Sequence, residues 1–158
     1  MKISARQISI GGVVAALYFT ITITPVISSI SYGPNFQVRI AEALTVLPFI
    51  YPGAIVGLFA GCLLANLFSP AGLPDIVFGS LLTLIAAWLT YLIRQTKKPL
   101  LAPIPPIIIN GFGVPIYLHI IFGQPYWLMT LYILIGETLA CYFLGYPLLK
   151  IILRKKRF

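Results

Sequence analysis

Long apolar runs with very few charges are the feature that most constrains this chain. Only 9% of its 158 residues are charged, whereas soluble domains average roughly 25%. So few charges cannot cover a soluble surface, and we therefore predict that most of the surface faces lipid. At roughly 20 residues per span, this length allows about six or seven membrane-spanning helices, and we expect no further soluble domain such as an ATPase.

Proline and glycine divide the apolar runs into six predicted helices. The short basic start resembles the beginning of a signal peptide, but the apolar run that follows is too long, so we interpret it as a first spanning helix. We expect helices at about residues 7–30, 37–51, 53–68, 75–94, 104–122 and 126–152. The predicted fold class is therefore an all-α integral membrane protein, in which residues 1–158 form one membrane domain.

The basic residues favour six spans and indicate the orientation. Cytoplasmic loops of membrane proteins collect lysine and arginine. With six spans, ten of the eleven basic residues fall on one side, and only Arg39 does not. The ten are Lys2, Arg6, Arg94, Lys97, Lys98, Lys150, Arg154, Lys155, Lys156 and Arg157. We therefore expect a multi-pass protein of the cell membrane with both termini in the cytoplasm, and not a nucleic-acid-binding protein.

Four charged residues stand apart from these basic clusters, namely Arg39, Glu42, Asp75 and Glu137. A charge at bilayer depth costs about 2.5–3.5 kcal/mol or more on insertion scales, so it usually pairs, faces a polar cavity or holds a ligand. In the six-span arrangement, all three acids lie in the outer half of the membrane or near its midplane. One polar pocket that opens to the outside would account for them, which predicts a membrane protein that binds a polar solute.

The first two of these charges have i,i+3 spacing and share one helix face. They form either an interfacial ion pair or a clamp on a ligand, to which Gln37 would add amide hydrogen bonds. Glu137 lies deep in an apolar helix, with no basic residue within one turn. It is either protonated and bonded to a neighbouring helix, or it accepts a ring N–H and an exocyclic amine from a ligand. Glu42 could do the same.

Four further side chains are candidates for lining the pocket. Asn110 precedes Pro115, which frees a backbone carbonyl and predicts a kink; the alternative for Asn110 is a hydrogen bond between helices. Asn66 carries the same two interpretations. Asp75 binds the ligand or caps its helix, and Trp127 is either a stacking platform or an anchor at the membrane interface.

Small residues mark two helices as surfaces for close packing. In helix 3 they recur every four residues, and we expect this groove to pack inside the protein. In helix 1 the pattern could instead face another membrane protein. The helix 1 residues are Gly11, Gly12, Ala15 and Ala16.

Four segments resemble the QueT family, most specifically the pattern Gln-x-Arg-x-x-Glu-Ala-Leu that begins at Gln37. The segments are residues 37–49, 61–66, 75–81 and 135–137. The resemblance implies a six-helix S-component of an energy-coupling factor importer, a transporter of the ATP-binding cassette class. Such a protein would capture a queuosine precursor (a 7-deazaguanine or a queuine-like base) outside the cell. It would then deliver the solute through the coupling protein EcfT, which two cytoplasmic ATPases drive and on which helix 1 docks.

Two other functions compete with this interpretation. The first is a stand-alone proton-coupled carrier of a small planar solute that uses Glu137, although we find no inverted repeat that would favour it. The second is an intramembrane enzyme, which would need a nucleophile–base pair or a set of metal ligands. Since His119 is the only histidine, we expect no catalytic residue, no metal site and no cofactor.

Overall fold

The described part of the chain consists of helices joined by short turns. The computed structural model describes residues 4–24 and 39–155. Within these two ranges the chain forms no strand. The helices are α1 (Ala5–Ile23), α2 (Ile40–Phe49), α3 (Ala54–Asn66), α4 (Asp75–Thr96), α5 (Pro99–Phe122) and α6 (Tyr126–Lys155).

The outer surface of these helices is apolar, as expected for a protein that faces lipid. α1, α4, α5 and α6 are long and apolar enough to cross a membrane. Large apolar side chains project outward, including Ile120 at 77% and Trp127 at 74% exposure. The all-α membrane class is therefore confirmed. α2 and α3 have only 10 and 13 residues, so each extends about 20 Å against a hydrocarbon core of about 30 Å. The number of spans and the side of the termini remain predictions.

The predicted helix ranges lie close to the helices of the structure, with one difference in helix 2. α5 continues through Pro115 to Phe122. α1 is described to Ile23, so the predicted end near residue 30 lies outside the described residues. For helix 2, the sequence predicted residues 37–51, but the structure forms a 3₁₀ helix over Ile40–Phe49. Pro48 lies inside it and would remove a hydrogen bond from an ordinary α-helix.

The small-residue groove of α3 packs against α1. A Cβ atom at Gly57 would overlap the carbonyl oxygen of Gly11, and one at Gly61 would lie 2.8 Å from the carbonyl oxygen of Ala15. The two backbones can approach this closely only because glycine has no side chain. Gly11 and Ala15 therefore pack inside the protein, whereas Gly12 and Ala16 face outward.

α2 lies in the centre of the helices, and every residue from Ala41 to Phe49 is buried. A helix that is apolar on all sides can be enclosed completely by its neighbours. It contacts α1, α3, α4 and α6. Glu42 belongs to this buried stretch and is 0% exposed, so the fold places a carboxyl group in the core.

Two helices contain a widened π-helical segment beside polar residues. In α4 this segment is Asp75–Gly79, and in α6 it is Leu139–Gly145. Single π turns inside α-helices are found frequently at functional sites. In α6, the segment brings Gly145 against α2, where a Cβ atom would lie 2.7 Å from the Ala43 carbonyl oxygen.

Candidate functional site

The winding of α2 places polar side chains in one line along a buried helix. A 3₁₀ helix has three residues per turn, so side chains three apart lie above one another. Arg39, directly before the helix, is followed at this spacing by Glu42 and Thr45, and their exposures are 8%, 0% and 0%. The Thr45 hydroxyl donates to the Glu42 carbonyl oxygen at 2.5 Å. One ridge therefore carries a cation and a carboxyl group into the core.

At the start of this ridge, Arg39 forms a buried ion pair with α4. Its Nη2 atom lies 3.2 and 3.3 Å from the two carboxylate oxygens of Asp75. The Tyr117 hydroxyl donates to Asp75 Oδ1 at 2.5 Å, and Asn66 Nδ2 donates to the Asp75 carbonyl oxygen at 2.8 Å. We call these four residues the ion-pair cluster. Its cation and its carboxylate neutralise each other.

The ion-pair cluster leaves no room at Gly79. A Cβ atom there would lie 2.6 Å from Asp75 Oδ1, 3.0 Å from Asn66 Nδ2 and 3.2 Å from the Tyr117 hydroxyl. The glycine lies one turn after Asp75, at the end of the π segment of α4. The absence of a side chain at this position is what allows the three polar groups to meet.

Further along the ridge, Glu42 meets Glu137 through one asparagine. Asn110 Nδ2 donates to Glu42 Oε2 and to Glu137 Oε1, each at 3.3 Å. The Tyr18 hydroxyl donates to Glu42 Oε1 at 2.5 Å, and the Cys141 thiol lies 3.7 Å from Glu137 Oε2. We call these five residues the carboxylate cluster. It joins α1, α2, α5 and α6, and α6 contributes both Glu137 and Cys141.

The carboxylate cluster is almost entirely removed from solvent. Glu42, Asn110 and Glu137 are 0%, 2% and 3% exposed. Asn110 Oδ1 has no hydrogen-bond partner among the described residues. A buried polar atom without a partner is costly, and it is rare unless a ligand, a water or an ion completes it. The cluster therefore presents acceptors that suit a ligand rich in N–H groups.

The structure brings most of the predicted site residues together. Arg39, Glu42, Asn66, Asp75, Asn110 and Glu137 all lie in the two clusters. Arg39 contacts Asp75, so the ion pair weighed for Arg39 and Glu42 is not the pair formed. The side chain of Asp75 takes part in that ion pair, so it does more than cap α4.

Two predicted site residues are not placed in the clusters. Trp127 is 74% exposed and packs edge-on against Tyr126, with 5.0 Å between the ring centroids. This position fits an anchor at the membrane interface. Gln37 lies outside the described residues. The exposed His119 contacts the carbonyl oxygen of Gln124 at the end of α5.

Sequence reasoning missed four polar side chains of the site, namely Tyr18, Thr45, Tyr117 and Cys141. Tyr18 had a usable signal, because it lies seven residues after Gly11 and hence on the small-residue face of α1. Thr45 also had a signal, namely its position three residues after Glu42, but this spacing aligns the two side chains only in a helix of three residues per turn. Nothing in the local sequence distinguished Tyr117 from tyrosines at a membrane interface.

Two apolar grooves lie between α4 and α5, away from these polar groups. One has a volume of about 450 Å³ and is lined near Ile93 and Ile104. The other, of about 400 Å³, lies near Phe78 and Ile116. Their linings are almost entirely hydrocarbon. Such linings suit hydrocarbon rather than a polar solute.

Comparison with known proteins identifies the family. A family model described as QueT transporter matches residues 8–154. The chain belongs to the QueT transporter family. This is a family of transporters and not of enzymes, and its membership agrees with the resemblance seen at Gln37 to Phe49. With several apolar helices, the chain is a multi-pass membrane protein.

One curated relative is the queuosine precursor transporter QueT of Lactococcus lactis subsp. cremoris (strain MG1363). It is 40% identical over 73 residues, which are 46% of this chain and 42% of the relative. The match thus spans less than half of the relative's length. No solved structure matches this chain.

Proposed function

We propose that this chain captures a queuosine precursor, a 7-deazaguanine or a queuine-like base, at the carboxylate cluster. The observation that carries the proposal is the bridge by which Asn110 holds the buried carboxyl groups of Glu42 and Glu137. Membership of the QueT family and the name of the Lactococcus relative support the choice of ligand.

The chemistry of such a base matches the acceptors of the cluster. A guanine-like edge presents a ring N–H and an exocyclic amine side by side, and a carboxylate can accept both. Glu42 or Glu137 would take this edge, and Asn110 would fix the second carboxylate beside it. An anionic ligand would instead meet two carboxyl groups, which makes a neutral or cationic base the better fit.

The transport mechanism we propose is that of an S-component in an energy-coupling factor importer of the cell membrane. The chain would cross the membrane six times, with both termini in the cytoplasm, and deliver its solute through EcfT and two ATPases. The helix 1 motif supports docking only in part, because Gly11 and Ala15 pack against α3. Gly12 and Ala16 are exposed and remain available to EcfT.

The proposed orientation has support from packing at one end of the helices. Ala102 at the start of α5 and Leu149 near the end of α6 lie in one buried cluster. Lys97 and Lys98 precede the first of these, and exposed basic residues follow the second at positions 150, 154 and 155. Two basic segments therefore gather at the same end, as the positive-inside rule requires for a cytoplasmic face.

The test is equilibrium binding of 7-deazaguanine precursors and queuine to the detergent-purified chain, with guanine and unrelated vitamins as controls. Binding of a deazaguanine in the absence of ATP and partner proteins is the expected result, since an S-component captures its solute alone. A well-folded chain that binds none of them would contradict the proposed ligand.

A proton-coupled carrier is the second candidate, and the partners of Glu137 are the observation that favours it. This residue is buried and contacts the neutral groups of Asn110 and Cys141, as a proton-carrying residue can. Uptake by the chain alone in ATP-depleted vesicles would support the carrier. Uptake that needs EcfT and the ATPases would support the S-component.

A further inference from the structure

We infer that the groove between the end of α4 and the start of α5 is a binding site for an anionic phospholipid. The groove has a volume of about 450 Å³ and is lined by side chains from residues 89–96 and 104–109; we call it the basic-end groove. An acyl chain of the lipid would lie in this groove, and its phosphate group would lie at Lys97 and Lys98. The lining shares no residue with either polar cluster, so the inference goes beyond the proposed function.

The first argument is the order of side chains along the end of α4. Leu89 and Ile93 belong to the apolar wall of the groove, and Thr96 lies at its end. This wall extends about 10 Å along the helix axis, at 1.5 Å per residue. The exposed side chains of Lys97 and Lys98 follow directly. A phospholipid has the same order, because hydrocarbon is followed by polar ester groups and then by phosphate. Basic pockets between spanning helices bind anionic headgroups in this way.

The second argument is the turn that fixes the two lysines at the end of the groove. The backbone N–H of Lys97 donates to the carbonyl oxygen of Arg94 at 3.0 Å. The backbone N–H of Lys98 donates to the Thr96 hydroxyl at 3.3 Å, and this hydroxyl donates to the carbonyl oxygen of Ile93 at 2.8 Å. Ile93 and Thr96 line the groove. The lysines are therefore held beside its apolar wall by the backbone itself.

The third argument is that no acidic side chain can balance these lysines. The chain contains only three acidic residues, and all three are buried in the two polar clusters. The same end of the helices carries further exposed basic residues at positions 150, 154 and 155. The anions that balance this end therefore come from outside the protein. At a membrane surface, anionic lipid headgroups attract basic segments of this kind.

A second groove between the same two helices provides a comparison within the molecule. It has a volume of about 400 Å³ and lies near Phe78 and Ile116. Its lining comes from residues 76–85 and 113–122, which contain neither lysine nor arginine. Both linings are hydrocarbon, so the difference between the grooves is the charge at the end of one of them. We expect only the basic-end groove to prefer an anionic lipid.

The test measures binding of phosphatidylglycerol and phosphatidylcholine with identical acyl chains to the detergent-purified chain, with bound lipid counted by native mass spectrometry. Each lysine near a membrane surface contributes about fivefold in affinity, so the wild type should bind phosphatidylglycerol about 25-fold more tightly than phosphatidylcholine. The double variant Lys97→Gln, Lys98→Gln should bring this ratio close to one. The control variant Arg154→Gln, Lys155→Gln removes two adjacent charges from α6 and should keep most of the preference.

A matched pair of substitutions in α5 tests the position of the acyl chain. Ile108→Trp places a large ring in the basic-end groove, and Ile116→Trp makes the same change in the second groove. The two isoleucines are 49% and 55% exposed, so both variants should fold, which thermal unfolding checks. Only Ile108→Trp should weaken binding of phosphatidylglycerol, by at least about tenfold, because displacing two buried methylene groups already costs this much.

Several results would overturn the inference. Equal affinities of the wild type for the two lipids would remove the anionic class. An equal loss of preference in the α6 variant would indicate general surface charge. If Ile108→Trp binds phosphatidylglycerol no more weakly than Ile116→Trp, the acyl chain does not lie in the basic-end groove. Displacement of the lipid by glycerol 3-phosphate, which lacks acyl chains, would indicate a phosphate site. Binding of a deazaguanine is measured separately, so the proposed function stands or fails independently.

Discussion

The two polar clusters differ in how their charge is balanced. The ion-pair cluster holds Arg39 against Asp75 at 3.2 Å, so the protein supplies both charges. In the carboxylate cluster, Glu42 and Glu137 share an amide group, and their contacting partners in residues 4–24 and 39–155 are neutral. The first arrangement is complete without a ligand, and it ties the start of α2 to α4. In the second arrangement, the charge of the carboxyl groups is balanced only when a proton or a ligand is bound. This property is expected of a binding site.

The largest expected effect is a loss of stability when the ion pair is broken, and the same kind of substitution in the carboxylate cluster should cost much less. Asp75→Asn should lower the free energy of unfolding by about 3–5 kcal/mol, because it leaves the buried Arg39 without its counter-charge. Glu137→Gln removes a carboxyl group whose contacts among the described residues, Asn110 and Cys141, are neutral, so the unliganded protein should lose far less. Unfolding of both variants in detergent checks this contrast. Equal losses would mean that the charge of Glu137 is balanced within the protein.

A smaller loss is expected from crowding the ion-pair cluster. Gly79→Ala adds a Cβ atom 2.6 Å from Asp75 Oδ1, and overpacking of this kind costs about 1–3 kcal/mol. Gly12→Ala is the matched control, because beyond its chain neighbours and the nearby backbone of its own helix no described atom lies within 4 Å of the added Cβ atom. Unfolding midpoints of the two variants measure the difference. If Gly79→Ala is as stable as Gly12→Ala, the cluster is less tightly packed than the structure indicates.

Removing one tyrosine hydroxyl from each cluster should reveal which cluster serves the ligand. Tyr18→Phe and Tyr117→Phe each delete a donor to a buried carboxyl group, at an expected cost of about 1–2 kcal/mol of stability. Only Tyr18→Phe should also change the affinity for a deazaguanine, since its partner Glu42 belongs to the carboxylate cluster. If only Tyr117→Phe changed the affinity, the ligand would bind at the ion-pair cluster and not at the carboxylate cluster.

The smallest effect should come from Trp127, which the sequence suggested as a pocket residue. Its side chain is 74% exposed, so Trp127→Ala should alter stability by less than about 0.5 kcal/mol in detergent, as substitutions at exposed positions usually do. Ligand affinity should stay within about twofold of the wild type, given that a 0.5 kcal/mol change corresponds to about this factor. A titration of the variant measures this, and a large loss of affinity would extend the site to the start of α6.

The sequence indicated which polar residues belong to the site, but not the contacts that they make with other helices. Glu42, Asp75 and Glu137 could be chosen as site candidates from the sequence, because each lies in an apolar run, where charged residues are rare. The partner of Arg39 could not be derived, since i,i+3 spacing favoured Glu42 while the contact with Asp75 depends on how α2 meets α4. The bridge at Asn110 joins residues 68 and 27 positions apart, and no local pattern encodes such a contact.

The fold was predictable to a similar extent. Apolar runs and turn residues indicated the regular part of α5, Ile104–Phe122, but not the 3₁₀ turn Pro99–Leu101 with which α5 begins. The 3₁₀ winding of α2 and the π segments of α4 and α6 could not be derived from periodicity, which assumes 3.6 residues per turn. These irregular segments carry Glu42, Asp75 and Cys141. The departures from a regular helix therefore occur where the polar residues meet.

The most direct test of the account compares ligand binding by Glu137→Gln and Tyr117→Phe, one isosteric variant in each cluster. Titration of 7-aminomethyl-7-deazaguanine into the purified, folded proteins provides the two affinities. The account predicts that Glu137→Gln loses binding by about 30-fold or more, while Tyr117→Phe binds like the wild type. Wild-type affinity in Glu137→Gln together with loss of binding in Tyr117→Phe would contradict it and move the binding site to the ion-pair cluster.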